Sequence, residues 1–341
     1  MLDERIHRVL WAVVESYITN PDPVGSRFVS KKYAFNLSPA TIRNIMADLE
    51  DMGFLSQPHT SAGRVPTDKG YRSYVDYLAQ RESSPDASDT EQIVQRLENI
   101  RNDINALLKE TSRALSTVSH YIGVALSPSA EKATLISINL FRYKEGQVMT
   151  VLLTDEGSVK NKCIQLDADL TQRDLNRISD YLNSEFAGLT IDEIRLRIVR
   201  EMQQDKALCD TLISRAITIC REALYFDYGD VFISGFSEVI GLPEFSDLQR
   251  IKEISRAIED KHLIIKLLDT LSQSEGVKVV IGSENSASDM KKLSIVVSTY
   301  KEGDRPIGTI GIIGPTRMDY LKAITVVDTA ARFVTRILSG K

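Results

Sequence analysis

The sequence predicts an α+β multidomain protein headed by a winged helix-turn-helix. Three observations carry this. Residues Ser26 to Gly70 read as two short helices, a turn and a Gly/Pro-punctuated basic loop. A polar run, RESSPDASDT from Arg81 to Thr90, separates that segment from the rest of the chain. Beyond it, strand-like runs are interrupted by a helical block from Thr171 to about Phe226 and then resume. Strands, a helical interruption and more strands suggest an α+β domain split by an insertion.

The N-terminus, MLDERIHRVLWAVVESYITN, mixes acids and bases among its apolar residues. Leu2, Ile6, Val9, Val13 and Tyr17 form a helical stripe, so it reads as a domain helix and not as a signal peptide. Ser26 is placed to cap a helix over Arg27 to Tyr33 that carries Lys31 and Lys32. Ser38-Pro39 is a strong start for the next helix. The hydroxyl accepts from an early backbone N–H, and proline has no N–H to lose at the first helical position. Ile42, Ile45, Met46, Leu49 and Met52 then lie on one apolar side, and Gly53 stands where a C-terminal glycine belongs. Leu55 to Pro58 and Gly63 to Pro66 are expected to pair as a small hairpin around the tip HTSAGR. Thr67 opens a further helix with Tyr71, Tyr74, Val75 and Leu78 as its apolar side.

The second helix of this unit presents Ala40, Thr41, Arg43, Asn44 and Ala47 opposite its apolar stripe. Small residues allow close approach to a groove, arginine suits guanine, and asparagine suits adenine. The acids Asp48, Glu50 and Asp51 fall in the second half of the helix, whereas a helix-turn-helix reads bases with its N-terminal half. Candidate DNA-binding residues are therefore Ser38, Thr41, Arg43 and Asn44 for the groove, and Lys31, Arg64, Lys69 and Arg72 for phosphates. The alternative is a solvated polar face on an ordinary helical hairpin. The flanking helix and the basic wing favour DNA.

After the linker, a long helix is expected over Glu91 to Ile122. Ile93, Leu97, Ile100, Ile104 and Leu107 recur in steps of four, three, four and three. That run fits either a seam against a second copy or a helix packed on its own domain. Thr134 to Tyr143, Gln147 to Thr154 and Ser158 to Leu166, separated by KEG and DEG turns, read as a meander. The helical block comes next. Strand signals resume at Val231–Ser234, Val277–Gly282, Leu293–Thr299 and Ile307–Ile313, and a helix over Met318 to Leu338 closes the chain.

Composition is ordinary for a globular protein, with 43% hydrophobic and 26% charged residues. The net charge of −5 argues against a general nucleic-acid coat but not against a local reader. From Val24 to Tyr74, seven basic residues face four acids, a net charge of +3. No apolar run reaches the ~18 residues of a membrane span. Cys163, Cys209 and Cys220, odd in number and widely spaced, fit buried thiols in a reducing cytoplasm. The histidines His7, His59, His120 and His262 show no metal spacing, and no catalytic constellation stands out, so neither an enzyme nor a cofactor is expected. Gly308, Gly311 and Gly314 interrupt a β run, where glycine marks a bulge or a close backbone contact and not a dinucleotide loop. Asp319 and Tyr320, after a Gly-Pro turn, read as a structural cap before the last helix, with a ligand or partner site as the alternative.

PVGSRFVSKKYAFNLSPATIRNIMADLEDMGFL, followed by QPHTSAGRVPTDKGYRSYVDYL, resembles the HrcA family of heat-inducible transcription repressors, as does IGIIGPTRMDYLKAITVVD near the C-terminus. The resemblance extends over essentially the whole chain. It implies a winged-helix domain over 1–80, a linker over 81–90, a GAF-like domain in two pieces (91–166 and 229–341), and a dimerisation domain inserted at 167–228. It also implies a cytoplasmic homodimer that binds double-stranded DNA at an inverted-repeat operator of chaperone genes, with the GroEL-type chaperonin as partner. Because GAF-like domains often bind small molecules, a ligand-sensing repressor is the competing reading.

Overall fold

The computed structural model describes residues 3–60, 62–79, 87–98, 100, 103–128, 133–155, 159–166, 170–191, 193–194, 196–198, 219–220, 231–245, 247–272, 276–303 and 305–339. The chain divides into two compact units, Met1–Ser127 with Val231–Lys341, and Pro128–Asp230.

The first unit begins with α1 (Glu4–Thr19), α2 (Ser26–Lys32) and α3 (Pro39–Asp51), then the two-residue strands β1 (Leu55–Ser56) and β2 (Val65–Pro66), then α4 (Asp68–Ala79). Val9 and Val13 of α1 and Ile42, Met46 and Leu49 of α3 are buried together, as the apolar spacing demands. Met52 departs from the expected stripe. It is the C-cap of α3 and stays exposed, because the backbone turns off there and Gly53 takes φ +77°. Ser26 also departs from its expected role, since it is the first helical residue and Gly25 is the N-cap. Antiparallel pairing of β1 with β2 sets Leu55 opposite Pro66. The Thr67 hydroxyl accepts from Gly70 N–H at 3.2 Å and so caps α4.

The expected single long helix is two helices, α5 (Ala87–Leu97) and α6 (Ile104–Ser119). Asp103 explains the break, because its carboxylate accepts from the N–H groups of Asn105 and Ala106 and starts α6 afresh. Ile93, Leu97, Leu107, Leu115 and Val118 are buried in the core of their own unit. The heptad-like run is therefore used within the chain and forms no free seam. The expected linker at 81–90 lies partly outside the described residues, and its last four positions belong to α5.

Five strands make one antiparallel sheet in the order β7 (Val231–Ser234), β3 (Ile122–Leu126), β10 (Arg305–Pro315), β9 (Leu293–Glu302) and β8 (Lys278–Ile281). Strand β3 corrects the sequence expectation, in which Ile122 ends a helix. Alternation sorts the sheet into two faces. Ala125, Val296, Ile310 and Ile312 pack with α6 and with the last helix, α11 (Tyr320–Leu338). Ile122, Val124, Leu126, Ile295, Val297 and Ile313 pack with α9 (Leu248–Glu259) and α10 (Lys261–Ser272), which come after the short α8 (Phe236–Ile240). Gly308 sits at a register shift in the β9–β10 pair, and a Cβ at Gly311 would lie 2.4 Å from the Val296 carbonyl oxygen. Bulge and close approach are what the triplet of glycines leads one to expect. Asp319 is the N-cap of α11, accepting from Lys322 N–H at 3.0 Å, and the Tyr320 hydroxyl is buried against Ser294 Oγ at 2.8 Å.

The second unit holds β4 (Leu135–Lys144), β5 (Gln147–Thr154) and β6 (Val159–Gln165), an antiparallel meander, with α7 (Gln172–Phe186) against it. The meander thus lies in the same unit as α7, apart from the five-stranded sheet to which the 91–166 boundary joins it. Its core gathers Leu135, Ile138, Leu140, Val148, Leu152 and Ile164 with Leu175, Ile178, Leu182 and Phe186. Helix α7 also blunts the outer edge of β4. Asn183 Oδ1 accepts from Ile138 N–H at 2.8 Å, and its Nδ2 donates to the Ile138 carbonyl at 2.9 Å. Gln172 does the same for Arg142 N–H and the Leu140 carbonyl. Within the first unit Leu126 pairs with Val231, so the chain leaves for the second unit and returns at adjacent strand ends. Cys220 is buried as expected, Cys163 on β6 is exposed because its side chain alternates away from the core, and Cys209 lies outside the described residues. Among the described residues no helix is long and apolar enough to cross a membrane.

Replacing Asn183 by alanine leaves the Ile138 N–H without its partner, while the Ile138 carbonyl keeps the Ser179 hydroxyl at 2.9 Å. It should destabilise the second unit by about 1–3 kcal/mol, measured as a lower midpoint in urea; an unchanged midpoint would show that water satisfies this edge.

Candidate nucleic-acid interface

Burial of Ile42, Met46 and Leu49 turns the opposite side of α3 to solvent. Thr41, Arg43 and Asn44 are exposed there, in the first half of the helix. Ser38 stands just ahead of them. Its Oγ accepts from Thr41 N–H at 3.1 Å and shares a hydrogen bond with Thr41 Oγ1 at 2.9 Å. Arg43 and Asn44 extend free of the fold, with no partner among the described residues. A helix N-terminus edged by two hydroxyls, a guanidinium and an amide offers donors for base edges and a positive dipole end for phosphate.

The basic residues divide by what lies beside them. Lys31 is exposed in the last turn of α2, where a cation also complements the helix dipole. Arg27, exposed one turn earlier, lies on the same side of α2. Sequence reasoning passes over Arg27, although its i, i+4 spacing to Lys31 is the available signal.

Arg64 is placed differently from expectation. Its backbone pairs with Val24 at 2.8 and 2.9 Å, and its Nε lies 2.7 Å from Glu50 Oε2 with the side chain only 18% exposed. It ties the root of the wing to the acidic end of α3. Lys69 is likewise engaged, since its Nζ donates to the Met52 carbonyl at 2.9 Å and sits 4.3 Å from the Phe54 ring centroid. It fastens the C-terminus of α3, a natural place for a cation.

Arg72, expected at phosphate, is engaged within the fold. Its Nε donates to Glu284 Oε1 at 2.8 Å and its Nη2 to the Val279 carbonyl at 2.6 Å, both in the β8 region of the sheet. The hydrogen bond to Glu284 raises the Arg72 pKa against the pull of burial. Burial works against the Glu284 carboxylate too, yet the Arg72 bond and the Ile281 N–H hold its pKa below the ordinary range. The ion pair is thus fixed above the carboxylate range and its contribution is lost as pH falls through the lowered Glu284 value.

The wing tip is shaped by Gln57, the first residue of the QPHTSAGR run, to which sequence reasoning gives no role. Its amide donates to the carbonyls of Thr60 (3.1 Å) and Ala62 (2.9 Å), folding the loop so that His59 and Thr60 are exposed.

Residues 105–324 match the family described as HrcA protein C terminal domain. A heat-inducible transcription repressor HrcA of Thermodesulfovibrio yellowstonii is 46% identical over 343 residues, covering 99% of both chains. The chain belongs to the HrcA family. The HrcA of Geobacter sulfurreducens is 43% identical, covering 100% of this chain and 99% of its own. A solved hypothetical protein, 22% identical and covering 100% of this chain and 99% of its own, shares the fold with a TM-score of 0.63. The relatives carry the name of heat-inducible transcription repressors.

Ser38 separates capping from contact. Ser38→Ala should lower stability by about 1 kcal/mol, whereas Ser38→Asp, an equally good cap, should preserve it. Ser38→Asp should nevertheless weaken DNA binding by placing an anion at the reading end of α3. Melting curves and binding titrations on the two variants check both halves; equal DNA affinity of Ser38→Asp and wild type would remove Ser38 from the interface.

Proposed function

We propose that this HrcA-family protein represses chaperone genes by binding an inverted-repeat operator as a homodimer, with the helix-turn-helix and wing of each chain on one half-site. The observation that carries this is the exposed N-terminal half of α3, where Thr41, Arg43 and Asn44 face solvent behind the Ser38 cap. In this reading Ser38, Thr41, Arg43 and Asn44 face the groove, and Lys31 with Arg27 meets phosphate. Arg64 and Lys69 hold the wing and the end of α3 at the right height. The five-stranded lobe, antiparallel with helices on both faces, fits a GAF-like domain. The Pro128–Asp230 unit, inserted between adjacent strand ends, fits a dimerisation domain.

The name of the relatives supports heat-inducible control. In the proposed circuit the GroEL-type chaperonin keeps the repressor folded, and heat diverts it to other clients. Marginal stability makes this physically reasonable, since one or two kcal/mol changes the folded-to-unfolded ratio by a factor of about 5–30. Operator occupancy by the purified protein should rise when chaperonin is added near the temperature at which occupancy is lost. Occupancy indifferent to chaperonin at every temperature would overturn this part.

Fluorescence anisotropy on an inverted-repeat duplex and a shuffled duplex at equal salt tests the main reading. The inverted repeat should be strongly preferred. Arg43→Ala and Asn44→Ala should each cost roughly 1–3 kcal/mol on the operator and little on shuffled DNA, and Lys31→Ala should weaken both alike. Excising Pro128–Asp230 behind a short Gly-Ser bridge should leave the first unit folded, give a monomer by sedimentation and abolish tight operator binding. A surviving dimer with unchanged affinity would remove the dimerisation role from this unit.

A further inference from the structure

The helix-turn-helix and the five-stranded sheet are joined at two polar points within the first unit. Asp68 and Arg72, one turn apart on α4, both face the end of β8. The Asp68 carboxylate accepts from Ser283 N–H at 2.8 Å, and Arg72 pairs with both carboxylate oxygens of Glu284 and donates to the Val279 carbonyl. The fit is close: Gly282 has φ +49°, and a Cβ there would lie 2.5 Å from the Asp68 carboxylate. At the second point Arg317, just before α11, donates from Nη1 to the Ile18 carbonyl at 2.7 Å and from Nε to Glu244. It thereby caps the C-terminal end of α1 with a positive charge. Between the two points Tyr71 of α4 packs on Tyr320, ring centroids 5.8 Å apart.

Of the two helices packed on α3, α2 and α1, the second is therefore held, both directly and through α4, which packs on it. Helix α1 is gripped at its C-terminus and α4 along one side, while α3 packs on α1 and keeps its reading face exposed. The docking fixes the reading helix without covering it, which is the geometry of a spacer and not of a lock.

We infer that Asp68, Arg72 and Arg317, with Glu284 and Glu244, form a two-point clasp that sets where each reading helix stands, and that these are positioning residues for half-site spacing in the operator. The inference rests on the proposed dimer on an inverted repeat. One base pair shifts a half-site by roughly 3.4 Å and turns it by about a tenth of a helical turn. A head held at two points resists that displacement, and a head freed at one point tolerates it.

The test uses the full chain, wild type against Arg72→Ala, Glu284→Gln and the double variant. Anisotropy is read on inverted repeats whose centre is lengthened or shortened by one and two base pairs, on a single half-site, and on a shuffled duplex. Both single variants should lose roughly five- to tenfold on the preferred spacing. They should narrow the gap between spacings, and they should leave half-site affinity and salt dependence unchanged. The double variant should add little, because both residues serve one contact. Should Arg72→Ala fail to fold, the isosteric change at Glu284 carries the same test alone. An unchanged spacing profile in Glu284→Gln overturns the clasp. So does a salt slope that falls by about one in Arg72→Ala with Glu284→Gln indistinguishable from wild type, since Arg72 would then touch phosphate. If wild type itself does not distinguish the inverted repeat from the shuffled duplex, the repressor reading fails first and takes the clasp with it.

Discussion

One continuous apolar core under both the helix-turn-helix and the five-stranded sheet is the constraint on which the rest of the first unit depends. Val9, Val13, Ile42 and Leu49 from the helix-turn-helix belong to the same buried cluster as Val296, Ile310, Ile312 and Val327 from the sheet and its covering helix. Tyr71 and Tyr74 of α4 bridge the two parts. Burial of this kind is non-directional and roughly proportional to area, so it brings the parts together but does not by itself set their angle. The polar contacts at Arg72, Asp68 and Arg317 supply the direction. They are partly shielded, hydrogen-bonded and charge-assisted, which is where such pairs give geometric definition.

The same electrostatics explains why the basic residues of the helix-turn-helix and wing are not equivalent. A cation beside an acid or a carbonyl cluster settles there, as Arg64 does on Glu50, Lys69 on the end of α3, and Arg72 on Glu284. Arg43 and Lys31 have no acidic partner among the described residues and lie on exposed faces of α3 and α2. The acidic second half of α3 is partly neutralised by the wing root through Glu50 and Arg64. The wing is thus tied to the very helix whose placement it accompanies.

The second unit has its own core and its own way of finishing an edge. Amides of Gln172 and Asn183 stand in for a neighbouring strand along the middle and far end of β4, and the backbone of Gly188 to Ile191 pairs with its start. Because the unit departs after β3 and returns at β7, strands that are paired neighbours, its insertion leaves the ladder of the five-stranded sheet intact. An insertion at such a point costs the host little, since its ends are already held together.

The features legible in the chain alone are local ones. Ser38-Pro39, the apolar steps of α3, the tyrosines of α4 and the turns of the meander each declare an element through capping, period or turn chemistry, and those elements are present where such signals place them. The family is legible for a related reason: the motif residues are contiguous. Which side chains the fold itself consumes is settled only in three dimensions. Strand β3 is short, lies directly after a helix and is buried on both faces, so no alternation marks it. Asp103 looks like one polar residue among many until it starts α6. Arg72 and Arg43 are both arginines on exposed-looking helical faces, and only a glutamate 212 positions away makes one of them structural. Charge pairing over that distance along the chain leaves no periodic trace in the sequence, because it is set by where the core brings the two surfaces together.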